Sequence, residues 1–88
     1  MNLRLEKRKK DIILKELDSE LLLYDKKKAV VHYLNRTAGF IWKKINNKRS
    51  ADDIAKEIEK KFDIPSNRAI KDVKKTLARF SKLELLNK

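Results

Sequence analysis

Eighty-eight residues carry 24 Lys and Arg against 13 Asp and Glu, a formal net charge of +11. A chain of that length has room for one small domain that removes only about 60–65% of its unfolded surface from water, too little for a deep catalytic pocket. No cysteine, one histidine, one glycine and one proline exclude disulfides, thiolate and multi-histidine metal sites and glycine-rich phosphate loops.

Residues 1–10 (MNLRLEKRKK) hold five basic residues and one acid and read as a basic tail or lead-in, with the domain proper over residues 11–88. Ile12, Ile13, Leu14 and Leu17 form a short apolar run that Asp18-Ser19 closes as a turn. Two further runs follow, Glu20–Tyr24 and Ala29–Leu34, separated by the polar Asp25-Lys26-Lys27-Lys28. Both are of strand length and together they read as a hairpin with a lysine-rich tip. Strands are expected near 11–17, 20–25 and 29–34.

At Asn35 the period changes. Asn35 is a preferred N-cap, and Ala38, Ile41, Trp42 and Ile45 share one helical face. Asn46-Asn47-Lys48-Arg49 should end that helix. Ser50 caps the next, with Asp52 and Asp53 where the helix dipole favours negative charge, so this acid pair reads as a helix start rather than a general acid/base pair. Ile54, Ile58 and Phe62 form its buried stripe, and Asp63-Ile64-Pro65-Ser66 breaks it. A third helix runs from about Ser66 to Lys82 with Ala69, Ile70, Val73, Leu77 and Phe80 inward. Leu83, Leu85 and Leu86 close the chain against the core. The expected fold is α+β and winged-helix-like: a three-stranded antiparallel sheet followed by three helices, β-β-β-α-α-α.

The stretch His32-Tyr33-Leu34-Asn35-Arg36-Thr37-Ala38-Gly39-Phe40-Ile41-Trp42 resembles the signature of the pyrroloquinoline quinone biosynthesis D-protein (PqqD-like) family. In that signature a hairpin strand ends in Leu-Asn, a Thr-Ala pair follows, and Ile-Trp comes one turn later. Ser50-Ala51-Asp52-Asp53-Ile54-Ala55, Phe62-Asp63-Ile64, Asp72-Val73 with Leu77, and Leu85-Leu86 extend the likeness from about Asp11 to Leu86. Two positions depart from the pattern. Glu84 stands where relatives carry glycine, and Lys74 and Lys75 stand where many carry apolar residues.

The resemblance implies a non-enzymatic peptide-binding chaperone. Such domains recognise the leader of a ribosomally made, post-translationally modified peptide (RiPP) by β-strand addition to the third strand, in a groove against the third helix. They present it to a separate enzyme, such as a radical S-adenosylmethionine enzyme or a lasso-type leader protease. Carried onto this sequence, the peptide-binding residues are Ala29, Val30, Val31, His32 and Tyr33 on the strand and Ile70, Lys71, Lys74 and Leu77 on the helix. No catalytic residue, cofactor or metal is implied, and no specific nucleic acid or membrane partner.

The residues themselves accommodate this role. A small sheet has an exposed edge, and an edge accepts an incoming strand. About four to six new backbone hydrogen bonds, at roughly 0.5–1.5 kcal/mol net each, would form. Association itself costs about 4–15 kcal/mol, so apolar pockets and charge must add the rest.

The third helix offers charge, with Arg68, Lys71, Lys74, Lys75, Arg79 and Lys82 against Asp72 alone. That lysine cluster reads either as a solvated face or as part of a site, and the net charge either as attraction to an anionic partner or as solubility. Trp42 reads as core. His32 reads as an ordinary strand histidine or a peptide contact, and alternation turns Tyr33 to the more open face. The alternative function is a winged-helix DNA-binding protein, although lysines attract phosphate without reading sequence. A structural subunit of a larger enzyme is the third class. No apolar run reaches the roughly 18–20 residues of a membrane span and no signal-peptide core opens the chain, so a cytoplasmic location is expected.

Overall fold

The computed structural model describes residues 10–18, 20–45 and 49–86. Residues 1–9 of the basic lead-in, Ser19 of the first turn, residues 46–48 expected at the end of the first helix, and residues 87–88 lie outside the described residues. The order is β1 (Ile12–Leu17), β2 (Glu20–Asp25), β3 (Val30–Leu34), α1 (Arg36–Lys44), α2 (Ala51–Phe62) and α3 (Ser66–Lys82). The strands form one antiparallel sheet in the order β1-β2-β3. This is the α+β, winged-helix-like arrangement expected from the sequence.

Both hairpins close on left-handed residues. Asp18 has φ 48° in the turn that joins Leu17 to its partner Glu20, the conformation that two-residue hairpin turns require. In the second hairpin Asp25 pairs with Val30, and Ala29 has φ 55°. Ala29 is therefore the last residue of the turn and not the first of a strand over 29–34. A residue at positive φ cannot continue the extended pleat, and the apolar run alone gives no sign of that. The buried Asp25 organises this turn: its Oδ1 accepts from the Lys28 amide at 3.2 Å, leaving Lys26, Lys27 and Lys28 at the surface.

Capping sets the helix starts. The Asn35 side chain accepts from the Ala38 amide at 2.8 Å. Ser50 and Asp53 form a reciprocal capping box, with the Asp53 amide donating to Ser50 Oγ at 3.2 Å and the Ser50 amide donating to Asp53 Oδ2 at 3.0 Å. Pro65 opens α3 without a side-chain cap. α1 ends at Lys44 with Ile45 as its C-cap, before the Asn46–Arg49 stretch expected to stop it.

At the far end of α3 the Leu85 amide donates to the Phe80 carbonyl at 2.9 Å and the Glu84 amide to the Ser81 carbonyl at 3.0 Å. This Schellman pair places Glu84 at φ 60°. The glycine position of the related sequences is thus a left-handed corner that this chain makes with glutamate.

α1 lies against β2 and β3 on one face of the sheet, and α2 and α3 pack on each other and on α1. Leu23, Ile41, Ile45, Ile54, Ile58, Val73, Phe80 and Leu85 are fully buried, and Trp42 meets Phe80 edge to face at 5.4 Å between ring centroids. Trp42 is core, as expected. The single glycine serves close packing. Gly39 on α1 lies so near β2 that a methyl group there would run into the Leu21 side chain.

Candidate functional site

The sheet register determines which backbone groups are open to a partner. The Lys26 amide donates to the Asp11 carbonyl at 2.8 Å, so Lys26 points toward the β1 side. In an antiparallel ladder the N–H and C=O of one residue point the same way, and the direction alternates along the strand. Tyr24 and Leu22 therefore face β1, and Asp25, Leu23 and Leu21 face β3. Their partners Val30, His32 and Leu34 face back toward β2. Val31 and Tyr33 are left with both backbone groups turned outward, and among the described residues β3 pairs only with β2. The edge thus offers two donors and two acceptors, the lower end of the range expected from the sequence.

Side-chain alternation runs across the same residues. Leu34 is buried and His32 half-buried on the helix side, where Val30 is 41% exposed. Tyr33 is on the other face at 66% exposure, the open orientation expected for it. Of the five strand residues singled out from the sequence, the structure places Val30, Val31, His32 and Tyr33 on β3 and Ala29 in the turn before it.

On α3, Ile70, Lys74 and Leu77 follow i, i+4, i+7 spacing and share one face, with Lys71 beside them. Leu77 is buried, Ile70 half-buried, and Lys71 and Lys74 exposed. The two elements come together at one end. Lys28, two residues before β3, places Nζ 3.3 Å from Oε1 of Glu84, two residues after α3. Elsewhere the backbones of β3 and α3 stand apart among the described residues, and each leans on α1. Among the described residues the one acid of α3, Asp72, lies 3.9 Å from Arg68 Nε and leaves the rest of the helix's basic surplus in place.

The carboxylates with perturbed titration lie elsewhere, at α2. The Arg49 guanidinium, hydrogen-bonded to Glu57, holds that carboxyl below the usual range despite partial desolvation, with Lys44 Nζ at 3.4 Å adding to the effect. The Ser50 backbone N–H, and then its hydroxyl, lowers Asp53. The capping box of Ser50 with Asp53 supports the reading of Asp52-Asp53 as a helix start, and Glu57 ties α2 to Arg49 and to Lys44 at the end of α1. Among the described residues no group of three or more His, Cys, Asp or Glu is placed to hold a metal ion. No helix among them is long and apolar enough to cross a membrane.

Sequence reasoning identifies the strand and the helix but not which backbone groups face out. That direction needs one anchored ladder bond, here Lys26 to Asp11. The apolar pattern is also silent on the left-handed role of Glu84, for which the departure from a family glycine is the available signal.

The fold recurs in solved proteins. A chain described as "Lasso peptide synthetase B1 complexed with the leader peptide" is similar over 98% of this chain and 100% of its own, with TM-score 0.85 and 17% sequence identity. "TbiB1 in Complex with the TbiA(beta) Leader Peptide" is similar over 93% of this chain and 94% of its own, with TM-score 0.80 and 16% identity. At such identities the likeness establishes the fold. No curated protein matches the sequence. The family described as coenzyme PQQ synthesis protein D (PqqD) matches residues 20–86, from the start of β2 to the closing leucines and across the β3 edge and α3 alike. The chain belongs to the PqqD family.

Proposed function

We propose that this protein binds the leader of a ribosomally made precursor peptide by strand addition to β3 and presents it to a separate enzyme. The observation that carries the reading is the open edge at Val31 and Tyr33, whose four backbone groups are turned away from β2. Four hydrogen bonds at about 0.5–1.5 kcal/mol each give roughly 2–6 kcal/mol. Micromolar affinity needs about −8 kcal/mol after association costs. The remainder comes from leader side chains packed toward Ile70 and Leu77 and from carboxylates meeting Lys71 and Lys74. Membership of the family and the leader-peptide complexes of structurally similar proteins support the same reading.

In this reading the protein is a cytoplasmic binding partner and not the catalyst, and residues 11–88 act as one unit. A chain with no cysteine and one histidine has few means of nucleophilic or metal chemistry. The enzyme it serves is of the radical S-adenosylmethionine or leader-protease class.

Amide chemical-shift mapping with a synthetic leader tests the proposal. Perturbed amides are expected over 30–34 and along the Ile70–Leu77 face of α3. Perturbation confined to α1 and α2 would refute the groove even if the peptide bound. Sequence-selective duplex binding at physiological salt, about a hundredfold over other sequences, would favour DNA recognition instead.

A further inference from the structure

A sheet covered by helices on one face normally turns polar side chains to the other. Here the pleat turns eight strand positions away from the helices: Ile13, Lys15, Leu17, Glu20, Leu22, Tyr24, Val31 and Tyr33. Six of the eight are apolar or aromatic, against six of the nine on the helix side. The bare face is as apolar as the one that builds the core. Four of the five exposed large hydrophobic residues lie on it, with Ile13 at 37%, Leu17 at 54%, Val31 at 44% and Tyr33 at 66% exposure. The registered rows Ile13–Tyr24–Val31 and Lys15–Leu22–Tyr33 make this surface continuous from β1 to the open edge. Contiguous apolar surface of this kind marks an interaction site.

We propose that the outer face of the sheet docks the enzyme that acts on the bound leader, through an apolar patch on that enzyme bordered by carboxylates. The inference rests on the leader-binding reading. Charge selects the occupant. Lys15 stands within the patch, Lys26, Lys27 and Lys28 stand exposed at the tip of the β2–β3 hairpin, and Glu20 is the one acid among the eight positions. A second copy would set this lysine-bordered face, on a chain of net charge +11, against its like, which favours an acid-bordered partner. A lipid surface is the poorer fit, because interfacial binders bury side chains about 5–10 Å into the headgroup boundary. On this face Leu22 and Tyr24 are already half-buried. Strand addition would also place alternate leader side chains on the same face beside Val31 and Tyr33. One enzyme surface would then touch carrier and leader together, and would bind the loaded carrier better than the empty one.

The test uses the full chain, a synthetic leader and the purified modifying or leader-cleaving enzyme encoded with the precursor. Ile13→Lys/Leu17→Lys is expected to weaken enzyme binding by about tenfold or more and to leave leader affinity within about twofold, since both sites lie on β1 with β2 between them and the β3 edge. Lys15→Glu should weaken it less, with a loss that shrinks as salt rises. If the double variant loses its circular dichroism signature, Lys15→Glu alone decides, because that side chain is exposed. Unchanged enzyme affinity in the folded variants overturns the proposal. It is equally overturned if the variants instead abolish self-association in sedimentation or binding to phosphatidylglycerol vesicles. Loss of leader binding with enzyme docking intact would overturn the leader reading alone.

Discussion

Replacing Val31 with proline tests the edge at single-bond resolution. The Val31 N–H points away from β2, so proline removes a donor that the fold does not use. Its ring fixes φ near −65°, which an edge strand tolerates, and Val30 before it is already extended. A bound leader would then leave one carbonyl facing a methylene group, at a cost of about 1–3 kcal/mol. That predicts an affinity loss of about 5- to 150-fold. Stability should fall by only about 1 kcal/mol or less, the scale of strand propensity differences.

The neighbouring variant His32→Pro provides the contrast. The His32 N–H faces Leu23, so its loss should cost about 1–3 kcal/mol of folding stability and unpair the ladder. Fluorescence anisotropy with a labelled leader measures the first quantity, and urea unfolding followed by circular dichroism the second. Val31→Pro binding leader within twofold of the parent, or unfolding as easily as His32→Pro, would refute the assignment of outward groups.

Glycine at two left-handed corners is expected to raise stability. A non-glycine residue there costs about 1–2 kcal/mol, of which glycine's greater freedom in the unfolded chain returns roughly 0.5–1. Ala29→Gly should therefore gain about 0.5–1 kcal/mol, a rise in Tm of roughly 2–8 °C by calorimetry. Glu84→Gly should gain less at low salt, because it also removes the exposed pair with Lys28, worth about 0–1 kcal/mol, and the two variants should converge in high salt. The acid limb of stability follows from Glu57 and Asp53, whose carboxyls titrate below their ordinary values. Their contribution is complete above the ordinary carboxylate range and is lost as pH falls through the lowered values. Glu57→Gln should flatten that limb in urea titrations at stepped pH. Charge reversal at Lys71 and Lys74 should slow association of an acidic leader in stopped flow, with the difference vanishing as salt rises and the dissociation rate little changed.

The helices are legible in the sequence because their signals are local. Asn35 and Ser50 announce their caps, Pro65 announces a break, and the apolar period names Ile41, Trp42, Ile54, Val73 and Phe80 as core, all of them buried. Strand existence is equally plain. What escapes is information that depends on register. Ala29 looks like strand in any apolar count, yet the Asp25–Val30 closure forces it to positive φ. The outward direction of Val31 and Tyr33 follows from pairing with β2, and pairing is not written in one strand. The end of α1 falls one residue earlier than the apolar period implies, because Ile45 continues that period while its backbone has already left the helix, at ψ 123°.

A sheet with two faces of matching apolar character cannot choose its pairing by hydrophobicity. Slipping one strand by a single residue exchanges its two side-chain sets, and here that exchange would leave the oily content of either side nearly unchanged. Fidelity must come from fit instead. Leu21 projects onto the bare Cα of Gly39, and a slip of β2 would offer Leu22 or Glu20 from the wrong side. Asp25 would lose its place over the Lys28 amide. The lone glycine and the buried acid therefore work as a frame check during folding. Mutations at Leu21, Asp25 or Gly39 would act less by weakening the native state than by admitting competing states in which the strands are paired out of step.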